Sequence, residues 1–145
     1  MDLTRIKTEH FSIAELVKSD TATKCKIDNR PTDGRIVENL TTLMTQVLEP
    51  ARQQLGVPVI VTSGYRCEKL NKAVGGVATS QHLKGQAADL VCTRREDKER
   101  LFEILATMDI DQLLWETNSK GTQWIHVSYV SHERNRHYIN RNYRA

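Results

Sequence analysis

The chain is poor in the residues that staple small proteins together. It has three cysteines, Cys25, Cys67 and Cys92, among 145 residues. Their odd number and scattered spacing argue against a disulfide framework and against a four-cysteine zinc site. All three are expected to be small buried apolar residues. No run of about 18 apolar residues occurs, so no membrane span is expected. The segment MDLTRIKTEHF lacks the apolar stretch of a signal peptide, so synthesis in the cytoplasm is expected. Charge of one sign is scarce too, with a net of +3. The segment from His132 to Ala145 holds Arg134, Arg136, Arg141 and Arg144 against Glu133, which is the same +3. This short basic segment reads as a solvated edge, with contact to a polyanion as the alternative. No nucleic-acid partner is expected. Neither an HExxH helix nor a GxSxG elbow is found, which excludes the commoner zinc-protease and serine-hydrolase templates.

What is there reads as one globular domain, with 39% hydrophobic and 27% charged residues. FSIAELVKS predicts a short helix with Phe11, Ile13, Leu16 and Val17 inward, and DNRPTDG a loop. Apolar positions Ile36, Leu40, Leu43, Val47, Ala51 and Leu55 predict a long helix, capped by Asp33 and ended by Gly56. Pro50 inside it predicts a kink or break. Strands are predicted at PVIVTS (58–63), AADLVC (87–92), DQLLWE and QWIHVSY. YRCEKLNKAVGG suggests a short helix, and TRREDKERLFEILATM an amphipathic one. The order indicates an α+β domain with a mainly antiparallel sheet flanked by helices.

The chemistry centres on SQHLKGQAADL, which sets His82 and Asp89 seven positions apart. That is not a helical neighbour spacing, so the two are expected to meet through a turn followed by a strand. Gly85 gives the turn its freedom. Ala87 and Ala88 leave room, and Ser80 can bond locally. On an alternating strand Trp124, His126 and Ser128 share one face, which makes His126 the expected third ligand. Two histidines and an aspartate fill three places of a zinc tetrahedron and leave one for water. A structural charge pair is the competing reading of His82 and Asp89. Arg66 follows a strand, and its guanidinium fork suits a carboxylate or a developing negative oxygen. A surface arginine is the other reading.

Ser80, His82, Gly85, Ala87 and Asp89, in the pattern SxHxxGxAxD, resemble the zinc signature of the M15 peptidases. These are D-Ala-D-Ala carboxypeptidases and related phage and bacterial murein endopeptidases. SGYRCEKLN resembles the segment before the family's zinc loop, and AVGGVATSQHLKGQAADL is similar to subfamily A. FSIAEL with IDNRP resembles its N-terminal segment. DQLLWE followed by WIHVS resembles its C-terminal strand pair.

The resemblance implies the small α+β fold shared with Hedgehog-type proteins. It implies a single D-Ala-D-Ala carboxypeptidase-like domain over residues 1–145, ending in the basic segment 132–145. One zinc ion would be held by His82, Asp89 and His126. Arg66 would face the site and either bind the substrate carboxylate or stabilise the oxyanion. Several members carry a glutamate three residues before the last histidine. That position here is Gln123, which cannot act as a base. Glu116 stands where subfamily A also has an acid, and is the expected general base. Asp111 and Gln112 either bond locally or support the site. Trp124 is expected to wall the cleft, and Trp115 to be wall or core. The implied activity is hydrolysis of D-amino-acid-containing bonds in peptidoglycan stem peptides or cross-links, by an endolysin-like monomer acting at the bacterial cell wall or periplasm. The alternatives are a murein-binding module that keeps the metal without hydrolysis, and a phage tail-associated protein docked by its basic segment.

Overall fold

The apolar stripe from Ile36 to Leu55 forms one uninterrupted helical run in the computed structural model, which describes residues 2–145. It comprises α3 (Gly34–Leu43), a π-helical stretch (Met44–Leu48) and α4 (Glu49–Leu55). Asp33 caps its start through Oδ1, which accepts from Arg35 N at 2.9 Å, and Gly56 ends it. Pro50 therefore neither breaks nor ends the run. A proline has no N–H and crowds the carbonyl four residues back. The wide turn just before it absorbs both defects, with Glu49 N–H reaching back five residues to Met44 O.

Ahead of this run lie α1 (Ile13–Val17), capped by Ser12, and α2 (Asp20–Lys24), which the sequence pattern does not single out. Phe11, Ile13 and Leu16 are buried as expected, and Val17 half-buried. After it come β1 (Ile60–Ser63), α5 (Glu68–Ala73), a 3-10 turn (Gln81–Lys84) and β2 (Ala87–Val91). The chain closes with α6 (Arg95–Ala106), β3 (Gln112–Thr117), β4 (Gln123–Ser128) and β5 (Tyr138–Arg144).

The five strands form one sheet in the order β1-β2-β4-β3-β5. The α+β class is as expected. Three pairings are antiparallel, and the fourth, β3 with β5, is parallel. The segment read as a solvated basic edge contains the edge strand β5 over half its length, and most of its residues are exposed. Its Tyr138 and Ile139 pair with Gln112 and Leu113. One face of the sheet presents Ala88, Leu90, Leu113, Ile125 and Val127 to the helices, where they join Leu40, Leu43, Leu55, Leu101, Phe102 and Leu105 in the core. Alternation sends Asp89, His126 and Glu116 to the other face. No helix is long and apolar enough to cross a membrane. All three cysteines are free, as expected, but they depart from the expected burial: Cys25 is exposed, and Cys67 and Cys92 are half-buried. Cys67 instead caps α5, its sulfur 3.5 Å from Leu70 N.

The first turn of α4 is tied to the N-terminal segment by Glu49, which is 7% exposed. Its carboxylate accepts from His10 N at 2.7 Å and lies 2.6 Å from His10 Nδ1. Burial alone would raise this carboxyl, but hydrogen bonds, His10 foremost, outweigh it and hold it down from 4.5 to about 2. The folded value lies below the unfolded one. The stabilisation is therefore complete above about pH 4.5 and fades as pH falls toward 2. The thermal unfolding midpoint should drop over that interval, and Glu49→Gln should make the drop shallower. Identical pH slopes in the two proteins would contradict this.

Candidate metal centre

Asp89 and His126 are brought together by strand register. They are direct partners on the antiparallel pair β2–β4, where opposed side chains on one face are close neighbours. Asp89 Oδ1 lies 3.1 Å from His126 Nδ1. His82 arrives separately, on the 3-10 turn before β2. Ser80 Oγ accepts from His82 N at 3.2 Å and fixes the start of that turn. Gly85 ends it at φ +72°, and a Cβ there would lie 2.8 Å from Ile36 O. The turn delivers His82 Nε2 to 3.3 Å from the same Oδ1. All three residues are buried, and their donor atoms lie within 4.8 Å of one another.

The orientation of His82 follows from its other nitrogen. Nδ1 lies 2.7 Å from Gly64 O. A carbonyl oxygen only accepts, so Nδ1 carries a hydrogen and Nε2 is the nitrogen that faces the cluster, with a lone pair for a metal when the ring is neutral. Burial works against the Asp89 charge, but His82 and His126 outweigh it and hold its carboxyl below the usual carboxylate range. Two imidazole nitrogens and a carboxylate oxygen, convergent and buried, are a donor set that fits zinc.

Arg66 stands behind Asp89. Its Nη2 reaches Asp89 Oδ2 at 3.4 Å, Nε donates to Ser63 Oγ at 3.0 Å, and Nη1 donates to Asn71 Oδ1 at 3.2 Å. Oδ2 is thereby engaged and Oδ1 is left to the histidines. Three of the five guanidinium donors are used, and two remain.

Glu116 sits on the same face as His126, opposite Trp124 in the β3–β4 register. Trp124 Nε1 donates to Glu116 Oε2 at 2.7 Å, and that oxygen is 3.9 Å from His126 Nδ1. Burial, and then the Asp89 charge, push the Glu116 carboxyl up. Gln123 falls on the opposite face. Its Oε1 accepts from Arg95 Nη1 at 2.9 Å and its Nε2 donates to Thr117 Oγ1 at 3.2 Å. There it helps line a cavity of about 540 Å³ with Arg95, Trp115, Arg141 and Arg144, on the other side of the sheet from the histidines.

Several supporting residues lie within the quoted segments without a role legible from the sequence. Asn29 clamps the loop behind the site: its Nδ2 donates to Val17 O at 2.8 Å and Tyr65 O at 2.9 Å, and its Oδ1 accepts from Cys67 N at 2.7 Å. Gly64 and Gln81 likewise matter through contacts distant in sequence. A second acidic grouping, Glu9, His10 and Glu49, has its two inner members occupied with each other.

A small α+β sheet protein with two histidines and an aspartate converging on one sheet face is the class defined by this fold and site. The family model for Peptidase M15 matches residues 9–128, and the chain belongs to that family. It is a metallopeptidase by family. Comparison with individually curated proteins gives no significant match.

Gly64 yields a direct check on the site's support. A Cβ there would overlap the Leu16 carbonyl oxygen. That oxygen is held by Tyr65 N, so the backbone itself must move. Gly64→Ala should cost about 1–3 kcal/mol in denaturant unfolding of the metal-free protein. A cost near zero would show that this close approach does not constrain the strand end.

Proposed function

We propose that the protein is a zinc-dependent peptidase that cuts D-amino-acid-containing peptide bonds in the stem peptides or cross-links of bacterial peptidoglycan. The reading rests on the convergence of His82 Nε2, Asp89 Oδ1 and His126 Nδ1 within 4.8 Å, beside a buried carboxylate on the same sheet face. Family membership over residues 9–128 supports the reaction type. Zinc held by the three residues supplies Lewis acidity and an activated water.

The chain's own groups do the rest. Glu116 has Oε2 occupied by Trp124, while its Oε1 bonds to no other described residue. Oε1 takes the proton from the attacking water and passes it to the leaving amine nitrogen. Trp124 holds the carboxylate in place for both transfers. The remaining Arg66 donors serve the substrate carboxylate or the oxygen that becomes negative as the carbonyl is attacked. The Gly64 carbonyl orients the His82 imidazole through Nδ1. The place of action implied is the bacterial cell wall.

The second reading, a murein-binding module that keeps the metal without hydrolysis, is favoured by Gln123 standing where several members carry a glutamate. Gln123 lies on the opposite sheet face, bonded to Arg95 and Thr117, while Glu116 supplies a carboxylate beside His126 and favours hydrolysis.

Purified peptidoglycan digested with and without a chelator, with fragments identified by mass spectrometry, tests the proposal. New peptide termini that vanish with the chelator are expected, and an unchanged fragment pattern would refute it. His82→Ala should lose both stoichiometric zinc and turnover; zinc still bound one-to-one by elemental analysis would remove His82 from the site. Glu116→Gln should retain zinc while turnover falls at least about 100-fold, and turnover close to that of the parent would assign the base elsewhere.

A further inference from the structure

The three histidine and aspartate positions are not equally secured. Asp89 and His126 sit on paired strands, whereas His82 rides on a four-residue turn. Something beyond strand register must hold that turn. Bonds to backbone carbonyls hold it in part: His82 Nδ1 to the Gly64 carbonyl, Arg66 N to His82 O at 3.1 Å, and Asn39 Nδ2 to Lys84 O at 2.8 Å. A side-chain tether runs through the neighbouring residue Gln81, whose Nε2 donates to Asp111 Oδ2 at 2.8 Å.

Asp111 opens the β3 region and is 1% exposed. Its carboxylate accepts four hydrogen bonds. Oδ1 takes Arg136 N and Arg136 Nε, both at 2.9 Å; Oδ2 takes Arg136 Nη2 and Gln81 Nε2, both at 2.8 Å. The backbone around Arg136 is latched to the same place. His137 N donates to Ile110 O at 3.0 Å, and Tyr138 N to Asp111 O at 2.9 Å. Arg136 lies beyond residue 128, where the family match ends. Its side chain stays 61% exposed on the basic surface, yet its guanidinium is paired with a buried carboxylate.

We propose that Arg136, Asp111 and Gln81 form a positioning relay through which the C-terminal segment holds the His82 turn and sets the affinity of the site for its metal. This rests on the zinc-site reading above. A bidentate arginine fixes both oxygens of Asp111 in direction, and the fixed oxygen fixes the Gln81 amide. Gln81 and His82 are consecutive, so the amide anchors the turn that aims Nε2. Partners that orient a metal ligand in this indirect way typically change affinity 10–100-fold when removed. A purely structural ion pair would stabilise the fold and leave metal affinity untouched.

Gln81→Met separates these roles. It keeps the side-chain length, removes the donor, and leaves Asp111 its three bonds from Arg136. Zinc affinity measured by chelator competition should weaken about 10–100-fold, while the thermal midpoint of the metal-free protein stays close to that of the parent. The double replacement Asp111→Leu with Arg136→Met removes the relay without stranding a buried charge, and should weaken zinc to a similar degree. Gln81→Met with affinity within about twofold of the parent would overturn the relay while leaving the zinc site standing. A loss of affinity matched by a comparable loss of metal-free stability would also overturn it, in favour of a structural role. Absence of one-to-one zinc binding in the parent would instead overturn the site reading itself.

Discussion

The register between β2 and β4 is the constraint on which the site depends. It sets Asp89 opposite His126 on the sheet face turned away from Leu90, Ile125 and Val127. A shift of one residue in either strand would send its polar side chain into the core and bring Ala88 or Val127 out. That shift is prevented by the core itself, because Ala88, Leu90, Ile125 and Val127 are all fully buried on the helix side. Hydrophobic packing on one face thus places the chemistry on the other.

The same arrangement explains how a carboxylate stays ionised with little exposure. An isolated buried charge is costly, and a buried pair that loses one partner typically costs about 3–5 kcal/mol. Asp89 meets this with positive and polar neighbours on both oxygens: the imidazoles on Oδ1 and Arg66 on Oδ2. Arg66 is held in turn by Ser63 and Asn71. Arg66 is thus fixed by neutral groups behind it, and Glu116 likewise by Trp124. Asp111 is held by neutral Gln81 on one side and charged Arg136 on the other.

The sequence made the principal elements and the three convergent residues legible for separate reasons. Period-2 alternation in QWIHVSY placed His126 with Trp124 and away from Ile125, and the structure has the same alternation. The turn at Gly85 and the local bond from Ser80 were legible because they involve residues two to five apart. The π-helical stretch was not: Pro50 signals a defect, but whether a helix breaks or widens depends on the packing of Leu48 and Ala51 against the core. The cysteines misled, because a capping thiol and an exposed thiol leave no mark in spacing. β5 was hidden by its arginines. No residue of β5 is fully buried, so the strand leaves no apolar row in the sequence to mark it. Contacts such as Asn29 with Tyr65, or Asp111 with Arg136, span 36 and 25 residues, and nothing local in the chain announces them.

The central claim is that one ion is shared by two imidazoles and one carboxylate. X-ray absorption at the zinc edge of the stoichiometrically loaded protein addresses it without reference to turnover. The account predicts a four-coordinate shell of nitrogen and oxygen at about 2.0–2.1 Å, with the outer scattering of two imidazole rings. Sulfur neighbours at about 2.3 Å, which would draw the ion to the cysteines, or a shell without imidazole scattering, would contradict it.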